Sequence, residues 1–446
     1  MLPIEAGLKT WHGEISMIPP AARNSVLAAF AAIAILAGHA PGTALAGGAY
    51  IYEMGNPSDV GYASAGLAAR AGDAATVFTN PAGMTRFDES EFVAGGVMLY
   101  LYARFNPDED NTVEGSNGQT NEFVPSGNFA YIRPISDKLK VGVSAQNYFG
   151  LALDWSDSWV GRYNSVKEAI LAPQVQPTVS YKINDWLSVG AGAGLTLGYL
   201  YSKARVDTLD PDRPDGKLRV SDTDFAVQGN FGIMIEPSDR TRFGLRYLTE
   251  TDLDFEDGVQ ISGVGDGFDF DPNSDITTPA DGIDLGLQMP QSVMAGAFHQ
   301  LNDKWALLGS VGWDEWSSFG QIRVRIEGTD LVVEEDAGFR DVWHFGAGTE
   351  YRYSPKLMLT GGFSYDTSMM SDATRPIVVP LGAMYRYGIG FKYRRNDNQT
   401  WGGGFTFLYE GKLPVKPGSG GLDGQVSGAY DSDTSLSWLS FHVKWR

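Results

Sequence analysis

From about Glu91 onward the chain breaks into segments of roughly ten residues whose alternate positions are apolar. Over Leu187 to Tyr201, one face carries Leu187, Val189, Ala191, Ala193, Leu195, Leu197, Tyr199 and Tyr201. The other carries Ser188, Gly190, Gly192, Gly194, Thr196 and Gly198. A period of two residues is the mark of a strand. Over Met384 to Arg394, Tyr385, Tyr387, Ile389, Phe391 and Tyr393 oppose Arg386, Gly388, Gly390, Lys392 and Arg394, so one face is greasy and the other basic. Phe225 to Glu236, Trp343 to Tyr353, Leu357 to Asp366 and Trp401 to Tyr409 repeat the arrangement, and no helix of any length competes beyond the leading residues.

The connections decide the architecture. Six are short and rich in turn formers: Ser136-Asp137-Lys138, Asn184-Asp185, Pro237-Ser238-Asp239, Asn302-Asp303-Lys304, Ser354-Pro355-Lys356 and Asn396 to Gln399. Between them lie seven long ones, at roughly 103–127, 148–173, 207–222, 255–288, 317–341, 367–383 and 410–435. Six short turns alternating with seven long loops imply fourteen antiparallel strands with both chain ends on the short-turn side. That is the layout of a transmembrane antiparallel β-barrel, whose short turns face the periplasm and long loops face outside. Lipid offers no hydrogen bonds, so strands cross it only as a closed cylinder. Tyr100, Tyr102, Trp155, Trp186, Tyr247, Trp305, Trp313, Trp316, Trp343, Tyr351 and Tyr353 fall near proposed strand ends, where an interfacial belt is expected. A soluble sandwich would also alternate, but it does not explain long loops gathered at one end.

The charge of −20 over 446 residues removes nucleic acid as a partner, since phosphate binding needs a basic stripe. There is no cysteine, so disulfides do not stabilise the fold and closure of the cylinder must. Val26 to Ala37 reads VLAAFAAIAILA, preceded by Arg23 and followed by Ala44-Leu45-Ala46. This is the layout of an export signal, expected to be cut after Ala46, with Met17 the more usual start. The run is too short to anchor in a bilayer. The expected divisions are a signal over 1–46, a leading segment over 47–90 and the barrel over 91–446.

The leading segment is small and rich in glycine and alanine, and a fourteen-stranded cylinder is too wide for its own side chains to fill, so residues 47–90 are read as an N-terminal hatch, or plug, inside the lumen. Asn80-Pro81-Ala82-Gly83 supplies a firm turn, because Pro81 fixes φ and the Asn80 side chain satisfies nearby backbone groups.

Several stretches resemble the FadL-type family of outer-membrane transporters of long-chain fatty acids and aromatic hydrocarbons. They are Gly47-Gly48, Gly66 with Ala68 to Ala74, and Asn80-Pro81-Ala82-Gly83-Met84 ahead of the first strand. Leu287-Gln288-Met289-Pro290, Trp313-Asp314-Glu315-Trp316-Ser317-Ser318-Phe319 and Gly362 to Asp366 through Arg375-Pro376 and Pro380 continue the likeness. The resemblance implies a hatch, here Asp73 and Asn80 to Gly83, that blocks the bore and shifts when ligand binds. It also implies capture of an apolar ligand among the outer loops and release sideways through a gap in the wall or down the lumen.

In loop 255–288 the apolar candidates for capture are Phe255, Val259, Ile261, Val264, Phe268 and Phe270, opposed by Leu209 and Leu218. The alternation of Arg242 to Glu250 turns Arg242, Arg246 and Glu250 inward, and Arg386 and Lys392 are likewise inward. Arg246 and Arg386 are the candidates to meet a ligand carboxylate. The expected partners are an apolar small molecule, outer-membrane lipid and lipopolysaccharide, with the barrel working as a monomer. No cofactor, metal site or catalytic residue is expected. The rivals are a diffusion porin, which would carry no plug, and a lipid hydrolase built on His299, His344 or His442, none of which has a serine or carboxylate motif beside it. The acidic run Asp207 to Asp215 fits no calcium-loop spacing.

Overall fold

The structure is a computed structural model that describes residues 50–208, 214–256, 259–263, 276–277, 283–319, 321–326, 332–378, 380–419 and 424–445. The expected signal over 1–46 lies outside them. Fourteen strands form one closed antiparallel barrel. In chain order they are β1 (Glu91–Pro107), β2 (Gly118–Pro134), β3 (Leu139–Asp154), β4 (Lys167–Lys182), β5 (Leu187–Val206), β6 (Gly216–Ser238) and β7 (Thr241–Leu248). They continue as β8 (Ser292–Gln300), β9 (Trp305–Asp314), β10 (Val342–Arg352), β11 (Leu357–Asp366), β12 (Met384–Arg394), β13 (Gln399–Tyr409) and β14 (Ser435–Trp445). Each pairs with its neighbours in sequence, and β1 closes on β14 from Phe92↔Trp445 to Tyr102↔Ser435.

The outward row of each strand is bare apolar surface: Val227 is 68%, Ile389 67% and Phe123 66% exposed. Side chains of that kind belong in lipid. The inward row is polar and buried, with Gln174 linking Gln146, Thr196 and Gln228 across neighbouring strands.

At the short-turn rim the Asn or Ser that begins five of the six turns accepts hydrogen bonds from the backbone that follows. Asn302 Oδ1 accepts from Lys304 N and Trp305 N (2.9 and 3.0 Å), and Asn184 Oδ1 from Trp186 N and Leu187 N (3.0 and 2.8 Å). These side chains satisfy the turn internally and explain its brevity. At the other rim the strands run further than the sequence reading had them. The β1–β2 ladder continues to Phe105↔Gly118 and β5–β6 to Val206↔Gly216, inside the stretches read as loops at 103–127 and 207–222. There the apolar row turns inward, with Ala103, Phe105, Leu218 and Val220 buried and Arg104, Lys217 and Arg219 exposed, so the outward apolar row expected of a membrane strand stops before the strand does. Above β7 to β10, Thr251–Phe255, Ile283–Met289, Gln321–Ile326 and Val332–Asp336 form a separate four-stranded sheet.

Trp186, Trp305, Trp343 and Tyr353 are exposed near strand ends, as a belt requires. Trp155 and Trp316, expected in that belt, are instead buried inside. Trp155 stacks on Trp159 with ring centroids 4.8 Å apart, and Trp316 packs on Tyr50 and Phe319 (5.4 and 5.1 Å). Burial of these rings builds an interior beneath the long loops, which outweighs the interfacial preference of indole.

Residues 50–90 fill the bore with short helical turns at Tyr52–Gly55, Val60–Tyr62, Leu67–Arg70, Thr76–Thr79 and Pro81–Arg86. Helices of this length do not stand alone, so the wall holds them. Phe78 O accepts from Asn230 (2.7 Å), Val77 O from Gln176 (2.9 Å), Gly55 O from Asn128 (2.8 Å) and Pro57 O from Ser440 (2.8 Å). Inward glycines bring wall and hatch backbone into contact: a Cβ on Gly362 would lie 1.8 Å from Tyr62 O, and one on Gly244 1.8 Å from Ala68 O. Ala63, Ser64 and Ala71 have left-handed φ of 48°, 63° and 37°, a backbone cost that the enclosing wall over-determines.

Candidate binding chamber and hatch

Above the hatch, a single apolar cluster runs from the loop rim down to Tyr52. Tyr50 sits at its centre, against Tyr52, Phe149 and Trp316 (ring centroids 5.8, 5.9 and 5.4 Å), with its hydroxyl donating to Pro290 O. Met369, Met370 and Met384 join the same cluster, and flexible thioethers suit a surface that must fit different apolar shapes.

Beneath these rings lies a polar floor. Tyr52 OH donates to Asp314 (2.9 Å) and shares a hydrogen bond with Ser292 Oγ (2.8 Å). Arg386, placed by the alternation of β12, pairs with Asp366 at 2.5 Å and Glu53 at 3.7 Å. Asp366 in turn meets His344 Nδ1 at 2.6 Å, and His344 Nε2 lies 3.1 Å from Ser310 Oγ. Serine, histidine and carboxylate therefore stand in the order used by hydrolases, but all three are buried between wall and hatch, and Asp366 is shared with a guanidinium. The row ties the floor to Glu53 of the hatch.

Arg246 differs. It is 0% exposed, its Cζ lies 4.8 Å from the Tyr52 ring centre and 5.4 Å from that of Phe78, and none of its three guanidinium nitrogens has a hydrogen-bond partner among the described residues. A buried guanidinium left without hydrogen bonds costs on the order of several kcal/mol. Arg246 and Arg386 thus flank consecutive hatch residues, one already neutralised and one not.

The turn at Asn80 is fixed on three sides. Its side chain accepts from Ala82 N (3.1 Å) and donates to Ala68 O (2.6 Å) and to Ile233 O of the wall (3.1 Å). Pro81, Ala82 and Gly83 are buried, and a Cβ on Gly83 would lie 2.3 Å from Thr76 Oγ1. Asp73 pairs with Arg70 (3.4 Å) and Lys392 (3.6 Å). Burial alone would raise its carboxyl, but Arg70 and Lys392 hold it well below the usual range.

Phe255 is buried beside Leu285, its cross-strand neighbour. Val259 and Ile261 pair through their backbones with Val220 and Leu218 of β6, so Leu218 lies beside this strand and does not oppose it. The side chains of Val259 and Ile261, and Val264, Phe268, Phe270 and Leu209 entirely, lie outside the described residues.

A further feature escaped the sequence reading. The β2–β3 ladder runs only from Phe129↔Ala145 to Pro134↔Lys140, whereas β2 continues along β1 to Gly118. The β3–β4 register shifts between Asn147 and Gly150, turning Phe149 inward to bridge Tyr50. Asp154 N reaches Thr120 Oγ1 at 3.3 Å higher up. The wall therefore carries a side window between β2 and β3, closed below and above, with Met54 O and Gly55 O bonded to Ser126 and Asn128 on its β2 side. Unpaired backbone at membrane depth is tolerated only where it lines an opening or protein. The only hint in the sequence was Asn147, a polar residue in the apolar row of Val141, Val143, Ala145 and Phe149.

A plugged fourteen-stranded cylinder with an apolar chamber, a polar floor and a window in its wall defines an outer-membrane transport barrel for apolar compounds. Residues 38–445 match the family described as outer membrane protein transport protein (OMPP1/FadL/TodX), and the chain belongs to it. It is 26% identical over 407 residues to outer membrane protein P1 of Haemophilus influenzae, covering 80% of this chain and 85% of that one. The long-chain fatty acid transport protein of Escherichia coli O6:H1 is 24% identical over 405 residues, covering 81% and 87%. The fold is similar to that of a Pseudomonas aeruginosa FadL homologue, with TM-score 0.75, 20% identity and coverage of 88% and 98%. It also resembles the Ralstonia pickettii toluene transporter TbuX, with TM-score 0.62, 19% identity and coverage of 87% and 97%. The bore is occupied by the hatch, and nothing favours a diffusion porin.

Proposed function

We propose that this barrel carries long-chain fatty acids and similar apolar acids passively across the outer membrane, as a single chain with both ends periplasmic and its long loops among lipopolysaccharide. The observation that carries the choice of an acid is the unsatisfied guanidinium of Arg246 directly below an apolar chamber. The acyl chain enters from the loop rim and packs among Tyr50, Trp316 and the methionines, gaining about 25 cal/mol per Å² of apolar surface buried. Its carboxylate takes the bidentate face of Arg246 between Tyr52 and Phe78. Arrival of that charge competes for the contacts of Tyr52 and Glu53, and the hatch shifts about the turn at Asn80 to Gly83. The β2–β3 window beside Met54 and Gly55 is the exit into the membrane. Similarity to the curated fatty-acid transporter and to the toluene transporter supports an apolar cargo.

Equilibrium binding of radiolabelled oleate and oleyl alcohol to detergent-purified protein tests this. Charge-assisted hydrogen bonds contribute about 1.5–3 kcal/mol, so Arg246→Gln should weaken oleate roughly 10- to 100-fold and leave the alcohol unchanged. Equal losses for both ligands, or no loss of oleate, would overturn it.

A further inference from the structure

The short-turn mouth, periplasmic in the reading above, holds a basic cavity in a chain that is acidic as a whole. A cavity of about 690 Å³ opens there beneath the hatch, lined by eight Lys and Arg residues against only Asp303 and Glu350. Glu350 is engaged by Tyr62 OH at 2.7 Å. On the hatch side the cations are spoken for: Arg70 by Asp59 and Asp73, Lys444 by Glu91 at 3.2 Å, and Arg242 by the carbonyls of Ala69 and Arg70. On the turn side Lys304, Arg352 and Lys356 are exposed and have no carboxylate within 4.0 Å among the described residues. Tyr353, Pro355, Leu357 and Met358 supply apolar surface between them.

Position adds to composition. Arg242 and Arg246 share the inward row of β7, with Gly244 between them pressed against Ala68. The hatch strip 68–70 therefore divides one cationic stripe into an upper part at Arg246 and a lower part at this mouth.

We infer that the mouth is a second anion site, a vestibule on the far side of the hatch from the chamber that holds the carboxylate of an amphipathic acid. Cations interleaved with apolar side chains fit a carboxylate carrying an alkyl chain better than a bare anion, which has no use for Leu357 or Met358. The site rests on the transport reading for its ligand class and, apart from the window exit, gives the acid a station on the short-turn side of the hatch whose hold weakens with salt.

The test uses the full barrel in maltoside micelles carrying Arg246→Gln, so that the upper guanidinium is gone and the salt-sensitive, carboxylate-specific part of binding is read at the vestibule. Binding of radiolabelled dodecanoate, dodecanol and inorganic phosphate is compared with and without Lys304→Gln, Arg352→Gln and Lys356→Gln together. All three side chains are exposed, so the barrel is expected to fold, and retention of its compact band in unheated SDS gels checks this. The expected result is salt-sensitive dodecanoate binding that falls at least tenfold in the triple variant, with dodecanol unaffected and phosphate far weaker. Dodecanoate binding that ignores the triple change would overturn the inference. Phosphate binding as tightly as dodecanoate would also overturn it, because the site would then serve free phosphate or lipid phosphate groups. Neither outcome depends on whether Arg246 holds a ligand in the wild-type chain.

Discussion

Replacing Gly362 with alanine adds one methyl group where wall and hatch touch. The new Cβ would lie 1.8 Å from Tyr62 O and 2.3 Å from its carbonyl carbon, where ordinary contact begins at 3.4 Å. The Val60–Tyr62 turn must therefore back away from β11 by about 1.6 Å, the difference between those distances. Retreat in one direction is blocked, because Gly388 of β12 and Gly404 of β13 press on the same turn from adjacent strands. Overpacking of this kind costs about 1–3 kcal/mol, and it falls on the hatch because the fourteen-strand hydrogen-bonded wall is the stiffer partner. The expected phenotype is a leaky barrel: single-channel recording in planar bilayers should show frequent open events in Gly362→Ala that the wild type lacks. Gly127→Ala is the control, since its Cβ meets nothing closer than 3.5 Å. Conductance of Gly362→Ala identical to that of wild type and control would refute the claim that the hatch is lodged against the wall.

Other consequences follow from the same geometry. Phe149→Ala removes the ring that bridges Tyr50 and stacks on Trp316, at a cost of about 3–5 kcal/mol, and should speed proteolysis of the leading segment in the intact barrel; an unchanged cleavage rate would contradict the packing. Burial pushes the Glu410 carboxyl up to about 8, against a hydrogen bond from Gly382 N–H. Its folded value is raised, so its contribution to closing this rim is full below about 4.5 and is lost as pH rises through about 8. Hydrogen exchange at residues 381–382, corrected for intrinsic rate, should show less protection at pH 9 than at pH 6, and Glu410→Gln should flatten the difference. The Ser310–His344–Asp366 row should turn over no p-nitrophenyl ester above the buffer rate, in the wild type or in His344→Ala; turnover lost in His344→Ala would make it a hydrolase.

The wall was legible because lipid imposes a simple rule on sequence. Every second residue of Leu187 to Tyr201 or Met384 to Arg394 must be apolar, and the turn formers between strands fix the count. Arg246 and Arg386 were legible as inward for the same reason. Their difference was not, since it depends on Glu53 and Asp366 arriving beside Arg386 from the hatch and from β11, 333 and 20 residues away by the numbering. The glycines at 244, 362 and 388 read as gaps in a pattern, yet their purpose is the close approach of the hatch backbone. The β2–β3 window left almost no trace, because a missing ladder is a property of two strands together and one bulge costs only a local break in alternation. Trp155 and Trp316 were misplaced because an indole near a strand end serves an interface or an interior equally well until its neighbours are known.

A chain with no cysteine allows a direct test of the hatch as gate. Tyr52→Cys with Asp314→Cys places one thiol on the hatch and one on β9, at side chains now hydrogen-bonded at 2.9 Å. Joined by a short, reductively cleavable crosslinker, the reconstituted protein should stop releasing fatty acid into liposomes and recover on reduction. Release that continues at the uncrosslinked rate with the link intact would contradict the account.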